Sequence, residues 1–308
     1  MTETATAVLA VNRHSIDVYS HPKETTVRQI AAFMGLRLSE LGVIGDGAND
    51  IGMLSIEGIG AAATVHNGQP EVKKLVASLP NGFSASAEAV AGVSEFLKEC
   101  VSRRIKRVIA DRDGVLRYRC DGQERDALIE LIRKFNAAGI GIDILTGSSV
   151  EQNVFFLQDS GIAAELACSN VDLRIYAENG VVEIDPRTKS VAFVGGDECE
   201  WFLPLIPSLT TAILAEITDT VLHRFNVSWG SGEAGPTTLV SVPKLAMVTI
   251  DTPKEREYDD DDKSELRAAV VHCFEHALEM AEVHYVKVDG EKREIIKPLG
   301  PNDTESLK

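Results

Sequence analysis

Positive charge is scarce in this sequence. Over 308 residues, 31 Lys and Arg stand against 47 Asp and Glu, a formal net charge of −16. A surface of that sign excludes broad electrostatic binding to nucleic acid or to an anionic membrane, since both need a basic face. Long apolar runs are missing too. No stretch approaches the roughly 20 continuous apolar residues that span a bilayer. Residues 1–11 have neither the basic start nor the apolar centre of a secretory signal. Cysteine is sparse and scattered, at Cys100, Cys120, Cys168, Cys199 and Cys273, with no CxxC pair. Reduced thiols and a cytoplasmic location are therefore expected.

What remains is ordinary globular composition, 44% apolar and 25% charged, in a chain long enough for about two domains. From residue 25 to 180, short apolar runs alternate with helical spacing. Helices are expected over 25–34, 50–54, 85–101 and 124–138, and strands over 41–44, 60–65, 107–110 and 140–145. Such alternation means an α/β fold with a doubly wound parallel sheet covered on both faces. From 195 to 290 the pattern changes to a helix (201–217), two longer strands (220–229 and 238–250), a helix (264–279) and a strand (282–288). That order suggests a second domain, an α+β layer. The acidic run 259–262 reads as a solvated approach to a helix N-terminus, which favours negative charge.

Three polar clusters follow expected strands, where a parallel sheet forms its ligand crevice. Asp111-Arg112-Asp113-Gly114 places two carboxylates two residues apart after the run Val108-Ile-Ala. One can attack an electrophile while the other handles a proton, and Gly114 permits a sharp turn close to a ligand. Gly45-Asp46-Gly47-Ala48-Asn49-Asp50 offers hard oxygen ligands suited to Mg2+. Thr146-Gly147-Ser148-Ser149 puts hydroxyls beside a helix start, where backbone N–H groups favour a phosphate. Singly, a DxDG string serves as a turn and a TGSS string as a helix cap. Together the three converge on Mg2+-assisted phosphoryl transfer through an aspartate.

These strings resemble the motifs of the haloacid dehalogenase superfamily of phosphatases. Asp111-Arg-Asp113-Gly-Val-Leu is similar to the first motif, Thr146 to the second, and Gly45 to Asp50 with Ile51-Gly-Met53-Leu54 to the fourth. The third is a lysine opening a helix, a place that Lys23 fits, 12 residues before Gly35-Leu36 as in the Cof-like and sugar-phosphatase branch. Lys297 is its rival. Tyr176-Ala-Glu178-Asn179-Gly180 resembles a further string of that branch. The resemblance implies a Rossmann-like core with a C2-type cap. It implies Asp111 as nucleophile, Asp113 as general acid and base, and Thr146 and Lys23 as holders of the phosphoryl group. It implies a Mg2+ set of Asp111, Asp113 through its backbone carbonyl, Asp46 and Asp50, supported by Asn49, Gly114 and Gly147. Arg112 stands where the family commonly carries an apolar residue, and its side chain is expected to point away from the site.

The motif order differs from that of the family, which runs first, second, cap, third, fourth. Here the third and fourth (Lys23, Asp46, Asp50) precede the first and second (Asp111, Thr146), and the cap follows. The order implies a circular permutation joined near residues 95–105. The expected domains are a core over 1–194, a cap over 195–290 and a return to the core over 291–308, with the runs 15–19 and 294–298 as remnants of one core strand. A homo-oligomer in which two chains exchange halves is the alternative closure. Cap candidates for substrate contact are His223, Arg224, Asn226, Trp229, Ser231 and Lys244, with 230–235 as a flexible hairpin loop. His223 and Arg224 would lie on opposite faces of a strand.

The expected function is a Mg2+-dependent phosphomonoester hydrolase acting on a small phosphorylated metabolite, with a sugar phosphate as one such class. A phosphomutase using the same aspartyl chemistry is the nearest rival. A non-catalytic module that binds Mg2+ and a phosphorylated ligand is the rival from another class. No nucleic-acid or membrane partner is expected.

Overall fold

The structure is a computed structural model describing residues 6–12, 15–117, 122–231, 237–253, 260–289 and 292–296. The chain opens with β1 (Ala7–Val11), β2 (Ser15–Tyr19), α1 (Lys23–Met34), β3 (Leu41–Ile44), α2 (Ile51–Leu54), β4 (Ala61–Thr64), α3 (Pro70–Ser78), β5 (Gly82–Ser84) and α4 (Ala89–Ser102). It continues with β6 (Arg107–Ala110), α5 (Gly122–Ala137), β7 (Gly141–Leu145), α6 (Val150–Asp159), α7 (Ile162–Cys168), β8 (Leu173–Ala177), β9 (Val182–Ile184) and β10 (Val191–Phe193). Last come α8 (Asp197–Glu200), α9 (Ile206–Ile217), β11 (Ser228–Trp229), β12 (Thr238–Val242), β13 (Met247–Asp251), α10 (Asp260–Met280), β14 (Tyr285–Asp289) and β15 (Lys292–Ile296). The chain forms two compact units, one of His21–Gly196 and the other of Met1–Ser20 with Asp197–Lys308.

In the first unit, eight strands run in the order β10-β9-β8-β7-β6-β3-β4-β5. From β8 to β5 every neighbour is parallel, while β9 and β10 close the edge antiparallel. Every residue of β3, β4 and β6 is buried, as continuous apolar runs require when helices cover both faces. On one face Val27 and Ile30 of α1, Met53 and Leu54 of α2 and Val72 and Val76 of α3 pack on Leu41, Val43, Ala62 and Ile109. On the other, Phe96 of α4 sits against Gly42. The order reverses between β3 and β6. One series leads outward through β4 to β5, the other through β7 to β8. The crevice beyond the carboxyl ends at such a reversal is where this class of sheet binds its ligands.

In the second unit, seven strands run β11-β12-β13-β2-β1-β14-β15, with β1 parallel to β14 and β2 antiparallel to both β1 and β13. One sheet face carries Leu9, Ile16, Val18, Val248 and Ile250 into a core with Ile206, Leu209, Ile213 and Ile217 of α9 and Val270 and Phe274 of α10. The segment Leu203–Leu222 is apolar and long enough to cross a membrane by length and composition. Here its Ile206, Leu209, Ile213, Ile217 and Val221 stripe lies in that core.

The domain boundaries differ from those expected. Residues 1–20 do not belong with the core over 21–194, because β1 and β2 fill the middle of the second sheet. Nor does the expected return segment 291–308 rejoin the core where it is described, since β15 pairs with β14. Residues 15–19 and 292–296 are two strands of the other sheet and not remnants of one core strand, and residues 297–298 lie outside the described residues.

The expected strand over 220–229 is also corrected. Its β-branched residues read as strand, but Val221 lies four residues after Ile217 and extends the apolar stripe of α9 through a wide π-helical turn at Thr218–Leu222. His223 and Arg224 therefore follow a helical turn and do not alternate across a strand, and β11 holds only Ser228–Trp229. The single strand expected over 238–250 is a hairpin, β12 against β13. It breaks at Pro243, which has no N–H to give a ladder. Much of the 230–235 loop lies outside the described residues.

Candidate active site

The carboxyl ends of β3, β6 and β7 deliver the three polar clusters to one place. Asp111 follows β6, and its backbone N–H donates to Ile44 O of β3 at 2.9 Å. Thr146 follows β7, with its N–H on Tyr176 O of β8. Lys23 is the first residue of α1 and is 1% exposed. Its ammonium lies 2.7 Å from Asp50 Oδ1 and 2.7 Å from Asp111 Oδ1. The sequence rival Lys297 lies outside the described residues.

Asp46, Asp50 and Asp111 each bring a carboxylate oxygen within 4.8 Å of the others. Asp50 already uses both oxygens. Oδ1 takes the Lys23 ammonium, and Oδ2 accepts the backbone N–H groups of Asp46 at 3.0 Å and Gly47 at 3.1 Å. Asp50 thus shapes the loop that presents Asp46. Gly45 is required there, because a Cβ would fall 2.5 Å from the Asp50 side chain. Asn49 folds its amide over Gly47 and is not among the three clustered carboxylates. Gly114 has φ +81°, a conformation that favours glycine, and a Cβ on it would overlap the Asp46 carboxylate. The first-motif turn therefore closes directly on the fourth-motif aspartate.

Three carboxylates share one ammonium, and the electrostatics record the shortfall. Burial first, then the neighbouring Asp111 and Asp50, push the Asp46 carboxyl up to about 9. Burial raises Asp111 as well, and Asp50 and Asp113 add to it while Lys23 opposes, leaving it at about 7. Burial would lower the Lys23 ammonium, but Asp111 and Asp50 outweigh it and hold it above its ordinary value. An excess of hard anionic oxygen around one fixed cation is a donor set that fits Mg2+, which takes carboxylates, waters and phosphate oxygens.

Asp113 stands differently. Its side chain is 52% exposed. Desolvation pushes its carboxyl up, but the Arg112 charge and hydrogen bonds and the Ser148 hydroxyl outweigh that and hold it below the ordinary carboxylate range. Arg112 was expected to point away, and it does not. It is 2% exposed and reaches Asp113, Ser148 and Asn153. Its guanidinium carbon lies 5.5 Å from the centre of the Phe156 ring. Asn153 and Phe156 of α6 supply an acceptor and a π-face that a single arginine in a motif does not announce.

Around Thr146, the backbone N–H of Ser148 donates to its hydroxyl at 3.1 Å, and Ser149 caps α6 by accepting from Gln152 N at 3.2 Å. Gly147 lets the buried Asn179 amide approach, its Oδ1 being 3.2 Å from where a Cβ would sit. The Glu178-Asn179-Gly180 turn is tied to this loop by Asn179 N on Thr146 O and Glu178 N on Ser148 O. Thr26 of α1 donates to Asn179 O at 2.7 Å and meets His21 Nε2 at 3.0 Å. His21 and Thr26 went unnoticed in the sequence. Their signal was their position, on either side of Lys23.

Of the cap candidates, His223, Arg224, Asn226 and Ser231 are exposed, and Trp229 donates its indole N–H to Thr218 Oγ1. Lys244 is buried in its own unit, 3.7 Å from Asp17.

No curated protein matches the chain. Residues 3–97 match the family described as haloacid dehalogenase-like hydrolase. The match includes Lys23, Asp46, Asn49 and Asp50, while Asp111 and Thr146 lie beyond it, just past the ends of strands β6 and β7. By this match residues 3–97, under a third of the chain, are similar to the haloacid dehalogenase-like hydrolases, and the parallel sheet gathers the residues of that stretch with Asp111 and Thr146 at its strand ends.

Proposed function

We propose that the chain is a Mg2+-dependent phosphomonoester hydrolase that works through an aspartyl-phosphate on a small phosphorylated metabolite, a sugar phosphate being one such class. The observation that carries this reading is the buried Lys23 ammonium held 2.7 Å from Asp111, the aspartate after the central strand, beside the further carboxylates of Asp46 and Asp50. A carboxylate attacking an anionic phosphate must be surrounded by positive charge. Asp46, the Asp111 carboxylate and the Asp113 backbone carbonyl would hold Mg2+. Bound there, the ion would offset the negative charge of the phosphoryl group and orient it.

The residues divide the remaining work. Asp111 attacks phosphorus, forming a new P–O bond as the ester P–O bond breaks, and Asp113, which Arg112 and Ser148 hold low in the free site and which the incoming anionic phosphate would raise, gives a proton to the departing oxygen. Asp113 then takes a proton from the water that attacks the aspartyl-phosphate, which frees Asp111 and releases orthophosphate. Lys23 and the Thr146 hydroxyl, with the N–H groups at the start of α6, hold the phosphoryl oxygens. Asp50 keeps Lys23 and the Asp46 loop in place.

The motif order is a circular permutation in this reading. α4 runs directly into β6 at residues 102–107, the region where the family's two ends would be joined. The unit of Met1–Ser20 with Asp197–Lys308 takes the part of the cap.

Orthophosphate release from a panel of phosphomonoesters, with Mg2+ and with EDTA, tests the function on the wild type and on Asp111→Asn. Mg2+-dependent release that disappears in the variant is expected. Transfer of the phosphoryl group to a second position without orthophosphate would replace the hydrolase by a mutase. Mg2+ binding with neither outcome would replace it by a binding module.

A further inference from the structure

Arg112 fills a position between the two aspartates of the first motif with a buried cation, and its contacts form a closed set. Nη2 and Nε donate to Asp113 Oδ2 at 2.7 and 3.1 Å. Nη2 also donates to Ser148 Oγ at 2.8 Å, and that hydroxyl donates to the same Asp113 Oδ2 at 2.9 Å. Nη1 donates to Asn153 Oδ1 at 2.9 Å. Asn153 is itself fixed, because its Nδ2 donates to Ser149 O at 2.9 Å and to Ser148 O at 3.2 Å. The Phe156 ring lies under the guanidinium. A rigid planar fork held at its far end by a helix defines one direction for the carboxylate it grips. A side chain that is half exposed would otherwise sample several rotamers.

We infer that Arg112 is a positioning residue for leaving-group departure: anchored on α6 through Asn153, it fixes the Asp113 carboxylate by one oxygen in the rotamer from which it serves the departing oxygen. The inference rests on the function proposed above, in which Asp113 is the proton donor. Arg112 acts through Asp113, whose proton its charge disfavours, so what it contributes to departure is the direction of the carboxyl and not its protonation. Its effect therefore grows with the need of the leaving group for a proton. An ester whose oxygen leaves readily as an anion gains little from a well-placed acid, and one whose oxygen is basic gains much.

Two esters of nearly the same shape separate these cases. Phenyl phosphate has the more basic leaving oxygen and p-nitrophenyl phosphate the less basic. With each, kcat/KM reports the steps up to departure of the phenol, so later hydrolysis of the aspartyl-phosphate does not enter. Arg112→Met is expected to lower kcat/KM for phenyl phosphate about tenfold more than for p-nitrophenyl phosphate, within the range of a positioned general acid. Arg112→Lys should keep the charge without the fork and recover only part of the difference. Asn153→Ala, which removes the far anchor together with its hydrogen bonds to Ser148 O and Ser149 O, should give the same selective loss at about threefold and covers the case in which Arg112→Met does not fold.

Equal losses on both esters in the folded variants would overturn the inference and leave Arg112 with a purely structural part. Full recovery by Arg112→Lys would overturn it as well, because the fork would then be dispensable. A folded wild type inert toward both esters with Mg2+ would remove the hydrolase reading and the inference with it, an outcome distinct from equal losses in an active enzyme.

Discussion

The two units treat buried charge in opposite ways. In His21–Gly196 it gathers at both ends of one parallel sheet. Lys23, Asp50 and Asp111 meet beyond the carboxyl ends of the strands. Arg107, at the start of β6, is gripped by Asp143 at 2.5 Å and Asp172 at 2.6 Å. In the other unit the sheet rests on an apolar layer of Ile16, Val18, Ile250, Ile213 and Phe274. Its buried carboxylate Asp17 is satisfied mainly by neutral donors, with Asn12 at 2.6 Å and Ser15 at 2.8 Å. The first arrangement costs stability and is maintained where charge has a task. The second is what a sheet does when packing is its only requirement. Even in the first unit the two ends differ. The Arg107 cluster sets one cation against buried Asp143 and the exposed Asp172, whereas the Lys23 cluster sets one against three carboxylates, Asp46, Asp50 and Asp111.

The largest effect should come from the surplus end. Asp111→Asn is expected to lower orthophosphate release by about a thousandfold or more, as loss of a covalent nucleophile does. The same change should leave the melting temperature level or raise it, because it removes a carboxylate that burial already disfavours as an anion. A drop of several degrees would break the comparison by making Asp111 a structural charge.

The paired end should behave in the reverse way. Arg107→Ala strands Asp143, which is fully buried, and should cost about 3–5 kcal/mol in urea unfolding. Phe274→Ala should cost a similar ~3–5 kcal/mol through a cavity. Amide exchange separates the two. The first should loosen β6 and β7, and the second β2 and β13. Coincident loss of protection in both sheets from either change would show that the units unfold as one.

How much of this was legible in the sequence follows the same division. Leu41–Ile44 and Arg107–Ala110 were readable to the residue, because a strand buried on both faces is a short unbroken apolar run. The charged residues just past such runs were legible for the same reason, and glycines marked the sharp turns at Asp46 and Asp113. The short α3 and β5 were missed, as was the edge from β8 to β10. Pairing at long range was not legible at all. Ser15–Tyr19 finds its neighbour in Met247–Asp251, and nothing local in either five-residue strand names the other. The direction of Arg112 was decided the same way, by Asn153 and Phe156 on a helix some forty residues later. A motif fixes which residues meet the ligand, whereas the niche behind them comes from elements that carry no motif.

The smallest expected effect tests whether the surroundings of Lys23 are as tightly packed as its pairing suggests. His21 is 1% exposed, and burial pushes its imidazole down to about 4 against a smaller upward pull from Gln29. In the unfolded chain the ring takes a proton near pH 6.5. Between these values the unfolded state holds more protons, so stability falls as pH drops from about 6.5 to about 4 and loses nothing further from this group below that. The ceiling is about 3 kcal/mol at 1.36 kcal/mol per unit. Other groups titrate in the same window, so the informative quantity is a difference. His21→Gln keeps a neutral polar group within reach of Thr26 and removes the titration. Between pH 7 and pH 4.5, urea unfolding should cost the wild type about 2 kcal/mol more than the variant. Equal losses would mean that the imidazole reaches water in the folded chain, and that the entrance to α1, and with it the seat of Lys23, is looser than the surplus-charge end of the sheet requires.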